Sequence, residues 1–101
     1  MTFRRTISVL KTAEGPILVG GGTADLTATQ VALAKQLGLN PVAAPGLHAE
    51  MTVIQGASER GLTPMYGVST NIICAACSVY ITQDLGGAVT EARSFAFRFP
   101  P

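Results

Sequence analysis

His48-Ala49-Glu50 and Cys74-Ala75-Ala76-Cys77 are the two stretches that decide how this chain folds, because their side chains form one site only if they meet in space. A histidine nitrogen and two cysteine sulfurs are ligands that Zn²⁺ prefers, and three protein ligands leave the fourth position open, as in catalytic zinc sites. Glu50 follows the histidine by two residues, close enough to act on a water molecule without being a ligand. We therefore expect His48, Cys74 and Cys77 to bind Zn²⁺ and Glu50 to be catalytic.

The composition predicts one small domain spanning residues 1–101. The chain has 101 residues, of which 48% are hydrophobic and 13% charged, enough apolar material for one modest core. No apolar run approaches the roughly 20 residues of a membrane span, and the N-terminus lacks the apolar segment of a signal peptide, so we expect a soluble protein without a membrane partner. The net charge of +1 is low for a nucleic-acid-binding protein, so any contact with phosphates must be local.

The hydrophobic spacing predicts an α/β order of strand, strand, helix, helix, strand, helix, strand. Residues 6 to 10 alternate, residues 16 to 19 form a short apolar run, and Glu14-Gly15 between them predicts a hairpin. Thr27 and Gln30 have the spacing of a capping box, and Gly38 predicts the end of that helix.

The second half of the chain predicts two more helices and two strands. The expected elements are a helix from about His48 to Gly61, a buried strand over 65 to 70, a helix from about Cys74 that carries Ile81 and Leu85, and an extended segment after Ala88 in which Phe95, Phe97 and Phe99 alternate. The period of two favours core packing for these phenylalanines. Gly20-Gly21-Gly22-Thr23 lacks the ending of a phosphate-binding loop, so we interpret it as a flexible connection.

The two motifs can meet if each one begins a helix. Side chains on a helix tilt toward its N-terminus, so both motifs would then point beyond the helix ends. Cys74 and Cys77 are three residues apart and share a face, whereas His48 and Glu50 converge only in a first turn. The positive end of the helix dipole also favours thiolates there.

Two ordinary explanations of the cysteines fit poorly. Both cysteines of the chain lie in the C-x-x-C motif, so none remains for a disulfide framework or for a structural site with four cysteines. A thioredoxin-like motif would follow the first strand of a βαβ unit, which this one does not.

The resemblance to a known family extends beyond the two motifs. The runs that carry it are Gly46-Leu47-His48-Ala49-Glu50, Gly61-Leu62-Thr63-Pro64, Gly67-Val68-Ser69 and Cys74-Ala75-Ala76-Cys77. Together with the order of elements, they resemble the deaminase domains at the C-terminal ends of bacterial polymorphic toxins, which have the cytidine deaminase-like fold. The resemblance covers nearly the whole chain and implies three α-β-α layers, with a central mixed sheet of about four to five strands and about three helices. Ile73 departs from the pattern, because many members have proline there.

This resemblance implies a function and a set of site residues. The family deaminates cytosine to uracil in nucleic acid by zinc-dependent hydrolysis, and we expect DNA, single-stranded, as the substrate. His48, Cys74 and Cys77 would bind the zinc, while Glu50 would move a proton from water to the base and then to the departing amine. The backbone N–H of Ala49 would bind the carbonyl oxygen of the base. The residues expected to line the entrance are Ser69, Thr70 and Asn71.

The resemblance also implies partners and a location. Such a domain is secreted as part of a larger toxin, acts in the cytoplasm of the recipient cell, and is inhibited by a cognate immunity protein in the producer. We expect a monomer. Arg4, Arg5, Arg93 and Arg98 lie on the first and last strand-like segments, where they are either phosphate contacts or solvated strand-end charges.

Three other functions stay open on the sequence alone. A free cytidine deaminase would account for the near-neutral charge, although such enzymes are usually longer and oligomeric. An adenine or tRNA deaminase would share the same motifs. A non-catalytic zinc-stabilised module that binds nucleic acid would share the ligands, but it would not need the carboxylate of Glu50.

Overall fold

A β-hairpin begins the sheet. In the computed structural model, which describes residues 6–22, 26–44, 46–71 and 73–97, β1 spans Ile7–Thr12 and β2 spans Ile17–Gly21. Gly15 in the connecting turn has a φ of 116°, which side chains of L-residues disfavour. The predicted hairpin is therefore present, and both strands extend two residues beyond their expected ends.

The sheet has six strands in the order β3-β2-β1-β4-β6-β5 among the described residues. β3 pairs parallel to β2, and every other neighbouring pair is antiparallel, so the sheet is mixed as expected. The remaining strands are β3 (Asn40–Pro41), β4 (Pro64–Ser69), β5 (Ala88–Glu91) and β6 (Ser94–Ala96).

The expected count of four to five strands is too low for two reasons. β3 is only two residues long and contains a proline, so no alternating pattern marks it. The C-terminal segment, expected as one extended strand, is a hairpin because β5 and β6 pair with each other. Phe95 and Phe97 lie in or next to β6 with their rings in edge-to-face contact, while Phe99 lies outside the described residues.

Three helices cover the sheet. α1 spans Ala28–Gln36 and begins with the predicted capping box, in which Thr27 and Gln30 exchange side-chain-to-backbone hydrogen bonds. α2 spans Ala49–Glu59 and α3 spans Ala75–Val79. None of the helices in the described part of the chain is both long and apolar enough to span a membrane.

The helices lie on both faces of the sheet and give the expected three layers. On one face, Leu10 and Leu18 are fully buried in a core that also contains side chains of α2, α3 and β6. That core comprises Leu10, Leu18, Val42, Val53, Ile54, Ala57, Ile73, Cys77, Ile81 and Phe95. On the other face, Ile7 and Val19 line a shallow apolar cleft together with residues of α1. Strand residues therefore alternate between the two faces, as a period of two requires.

The glycines at the end of β2 do not form the flexible connection that the sequence predicts. Gly20 and Gly21 belong to β2, and a Cβ atom on Gly20 would lie 2.8 Å from Cγ2 of Thr52 in α2. The absence of a side chain at Gly20 thus lets the first half of α2 lie directly against the strand. This close approach determines the height of the N-terminus of α2 above the sheet.

The third helix changes its winding after one turn. Residues Tyr80–Asp84 form a π-helical turn that continues α3, and the N–H of Leu85 donates to the carbonyl of Tyr80 at 3.2 Å. The expected helix from Cys74 is therefore present, but its wider second turn rotates the following side chains. Ile81 is fully buried, as expected, whereas Leu85 is exposed.

Replacement of Gly67 by alanine tests the packing of β4 against β6. A Cβ atom on Gly67 would lie 2.2 Å from Cζ of Phe95, a fully buried core residue. We expect Gly67→Ala to lower the free energy of unfolding by about 1–3 kcal/mol, because an overpacked core must shift. Urea denaturation measures this change. Gly22→Ala is the control, since its nearest contact would be an ordinary 3.8 Å, and equal midpoints for the two variants would contradict the packing.

Candidate metal centre

Each of the two sequence motifs begins a helix. His48 is the N-cap residue of α2, and Cys74 is the N-cap residue of α3. Both have extended backbone angles, with φ and ψ of −66° and 153° for His48 and −73° and 165° for Cys74. Neither side chain caps its own helix by a hydrogen bond. Both side chains are therefore free to point away from the helix ends and toward each other.

The three expected ligands converge on one point. Nδ1 of His48 lies 3.4 Å from Sγ of Cys74, and the ligand atoms of His48, Cys74 and Cys77 all lie within 4.8 Å of one another. In a tetrahedral zinc site, Zn–N and Zn–S bonds separate such ligand atoms by about 3.6 Å for nitrogen and sulfur and about 3.8 Å for two sulfurs. The group is therefore close enough to bind a metal ion, and its donor atoms are those that Zn²⁺ prefers.

The metal group, formed by His48, Cys74 and Cys77, is buried on one side and open on the other. Cys77 is fully buried in the core, Cys74 is half-buried, and His48 is exposed. A metal ion held by these residues would lie at the border between the core and the surface. The exposed side at His48 is the one from which a water molecule or a substrate could approach.

Glu50 lies beside the metal group without belonging to it. Its side chain is 3% exposed, and Sγ of Cys77 donates a hydrogen bond to its Oε2 at 3.4 Å. Among the described residues, the convergent group of possible ligands contains His48 and the two cysteines but not this carboxylate. Glu50 is thus close to the three possible ligands without being one of them. Its expected catalytic role stays a prediction.

The local electrostatics favour a cation. Burial raises the pKa of the Cys77 thiol, and the negative charge of Glu50 raises it further. A thiolate and a carboxylate buried side by side are unfavourable unless a positive charge lies between or near them. A divalent cation bound to both sulfurs would provide that charge and would deprotonate the thiol. The residues present therefore fit a metal ion.

The start of α2 is firmly held. The carbonyl of His48 accepts hydrogen bonds from both the N–H and the hydroxyl of Thr52, at 2.9 and 3.0 Å. Ala49 occupies the first helical position and is buried. An N–H in the first turn has no acceptor within its own helix, so that of Ala49 is able to bind an external oxygen. Its expected role as a substrate contact stays a prediction.

The expected entrance residues connect the end of β4 to β1. The hydroxyls of Ser69 and Ser8 are hydrogen-bonded to each other in the buried face of the sheet. Oγ1 of Thr70 accepts from the N–H of Ile7 at 2.9 Å, and Nδ2 of Asn71 donates to Oγ1 of Thr6 at 2.8 Å. The loop that leads to Cys74 is thus attached to β1. Contact of Ser69, Thr70 and Asn71 with a substrate stays a prediction.

The turn between β5 and β6 holds the other side of this loop, a contact that no sequence pattern predicts. The carbonyl of Arg93 accepts from the N–H of Ser69, and the carbonyl of Ala92 accepts from the N–H of Ile73, both at 2.8 Å. Many members of the toxin deaminase family that the sequence resembles have proline at the position of Ile73, and a proline could not donate this bond. The departure from the pattern therefore has a structural use here.

Comparison of this chain with protein-family models, curated proteins and solved structures gives no match. What the site can do chemically is therefore inferred from the geometry of its own side chains. That geometry consists of three convergent metal ligands and a buried carboxylate in contact with one of them.

Metal analysis of single variants tests the ligand set. We expect about one zinc ion per chain in the native protein, because the three ligands form one tetrahedral site. His48→Ala, Cys74→Ser and Cys77→Ser should each lose most of the metal and unfold at lower temperature, since bound metal stabilises the folded state. Elemental analysis and thermal denaturation measure both effects.

Glu50→Gln is the matched control for this experiment, because it alters a buried neighbour of Cys77 that is not a ligand. This variant should keep its zinc. A native protein that folds without zinc, or ligand variants that retain a full zinc content, would contradict the ligand set.

Proposed function

We propose that this chain is a zinc-dependent deaminase that hydrolyses cytosine to uracil in single-stranded DNA, as the catalytic domain of a bacterial toxin. The observation that carries the proposal is the buried Glu50 carboxylate in contact with the Cys77 ligand but outside the convergent group. A purely structural zinc site would not need this carboxylate. The resemblance of the sequence to toxin deaminases supports the choice of reaction.

Glu50 performs the proton transfers of the proposed reaction. Zinc held by His48, Cys74 and Cys77 would lower the pKa of a water molecule at the open side of the site. The Glu50 carboxylate takes one proton from the attacking water and gives it to N3 of cytosine as the water oxygen bonds to C4. It then takes the second proton, from the hydroxyl now on C4, and gives it to the amine, so that the C4–N bond breaks and uracil and ammonia form. One carboxylate acts first as a base and then as an acid. Its burial and its contact with Cys77 support this assignment.

The first turn of α2 holds the base in the proposed complex. The N–H of Ala49 donates to the carbonyl oxygen of cytosine, and the bonds between Thr52 and the His48 carbonyl keep this turn rigid. Because His48 is exposed while Cys77 is buried, the base enters from the side of His48. Ser69, Thr70 and Asn71 border that entrance on the loop that precedes Cys74.

Two further parts of the proposal depend on the resemblance alone. They are the delivery of the domain into a recipient cell as part of a larger toxin and its inhibition by an immunity protein. Free cytidine, adenine or tRNA as substrate, and a non-catalytic role, are the alternatives that an activity assay distinguishes.

The assay presents the zinc-loaded protein with single-stranded DNA, double-stranded DNA, RNA and free cytidine, and detects uracil or uridine. We expect single-stranded DNA to be converted fastest. Efficient turnover of free cytidine without any conversion of oligonucleotides would move the assignment to nucleoside metabolism. Zinc binding with no deamination of any of these substrates or of adenine would favour the non-catalytic module.

Glu50→Gln separates catalysis from zinc binding. We expect its deamination rate to fall at least 100-fold, since a missing general acid–base group typically costs about 10²- to 10⁴-fold. Glu59→Gln is the control, because Glu59 lies on the same helix, is exposed, and accepts a hydrogen bond from the side chain of Gln55. Glu59→Gln should retain the native rate. A zinc-loaded Glu50→Gln protein with near-native activity would show that this carboxylate has no catalytic role.

A further inference from the structure

The turn between β5 and β6 lies next to the metal group although it is distant in sequence. The Ala92 carbonyl accepts from the N–H of Ile73, the residue directly before the ligand Cys74. The Arg93 carbonyl accepts from the N–H of Ser69, at the start of the same loop. Two backbone hydrogen bonds thus fix the turn against the loop that leads to Cys74.

The side chain of Arg93 takes no part in these bonds. Only its carbonyl is used, the residue is exposed, and no ion pair of its guanidinium occurs within residues 6–22, 26–44, 46–71 and 73–97. The nearest carboxylate along the chain is that of Glu91, two residues earlier and also exposed. The positive charge of Arg93 is therefore available at the rim of the site, on a turn whose backbone position is fixed.

Among the four arginines of the terminal strand-like segments, Arg93 is the one within the described residues, and Arg4, Arg5 and Arg98 lie outside them. A chain with seven lysine and arginine residues and a net charge of +1 can make few phosphate contacts, so we expect those it makes to lie close to the site. An exposed arginine fixed beside the metal group satisfies that condition.

We propose that the guanidinium of Arg93 binds the phosphate that flanks the target cytosine, and thereby selects a polynucleotide over a free nucleoside. This inference depends on the deaminase function proposed above. A base that enters the site leaves its own backbone phosphates at the rim, because the charged backbone stays in water while the base is buried. Arginine is suited to this contact, since its planar guanidinium donates two parallel hydrogen bonds to phosphate oxygens.

Oligonucleotide binding tests this contact without requiring turnover. The probe is a fluorescein-labelled single-stranded DNA oligomer with one cytosine, and the protein is zinc-loaded Glu50→Gln, measured by anisotropy at several salt concentrations. Adding Arg93→Gln should weaken binding about three- to tenfold and reduce the slope of log affinity against log salt by about 0.7, the value for one phosphate contact on a single strand. Arg93→Lys should restore most of the slope, because it keeps the charge.

Two controls keep the result specific to this position. Lys35→Gln removes one exposed positive charge from the last turn of α1, on a different element, and should leave binding unchanged. Glu91→Gln removes the opposite charge from the same turn and should leave binding equal or tighter. Equal losses in Arg93→Gln and Lys35→Gln would overturn the proposal, because they would reflect net charge alone.

A single uncharged phosphate identifies the contact. Two further oligomers each carry one uncharged methylphosphonate, on the 5′ or on the 3′ side of the cytosine. Each substitution should weaken binding by the protein that has Arg93. If Arg93 contacts one of these phosphates, the methylphosphonate at that position should not weaken binding by Arg93→Gln any further. Additive losses at both positions would overturn the assignment. If only one methylphosphonate loses its effect in Arg93→Gln, but the native protein deaminates none of the substrates, the proposed deaminase function is wrong and the phosphate contact is supported. If the native protein deaminates DNA but Arg93→Gln binds the oligomer as tightly as the protein with Arg93, the deaminase function is supported and the phosphate contact is wrong.

Discussion

The 3.4 Å approach of the His48 imidazole to the Cys74 sulfur is the contact on which the site depends, because it requires two helices to begin at the same edge of one sheet. β4 ends at this edge and a short loop leads from it to α3, while the missing side chain of Gly20 lets α2 lie close to β2. Neither motif contributes to this placement by itself. The sheet and the packing of α2 bring the three side chains together, and a metal ion bound there would join the two helices.

Burial makes the same site depend on a cation. The thiol of Cys77 and the carboxylate of Glu50 share a nearly water-free environment, in which burial and repulsion by the Glu50 charge both raise the pKa of the thiol. A metal ion would relieve this repulsion by binding the sulfurs. A metal ion bound by these residues would therefore also stabilise the N-termini of α2 and α3.

The features predicted from sequence are those with a local signal. The Thr27–Gln30 capping box, the helix beginning after His48 and the pairing of β1 with β2 all follow from residue types within a few positions of one another. The metal group also follows, because its donor types and the requirement for two helix starts restrict the possible arrangements. The substrate contacts of Ala49, Ser69, Thr70 and Asn71 remain predictions of the resemblance.

The features that the sequence left open depend on contacts between distant residues. Gly20 looked like part of a loop because its packing partner Thr52 lies 32 positions later. The bond from Ile73 to Ala92 exists because β6 pairs with β4, and no pattern near either residue indicates it. The π-helical turn after α3 likewise has no simple sequence signal. These long-range contacts shape the rim of the site, where specificity is expected to lie.

X-ray absorption spectroscopy at the zinc edge of the purified protein is the most direct test of zinc binding by His48, Cys74 and Cys77, because it counts the atoms bound to the metal and measures their distances. We expect two sulfur atoms at about 2.3 Å together with nitrogen or oxygen atoms at about 2.0–2.1 Å, one of them from an exchangeable ligand. A spectrum with four sulfur atoms from two chains, or one without sulfur, would contradict the site formed by His48, Cys74 and Cys77.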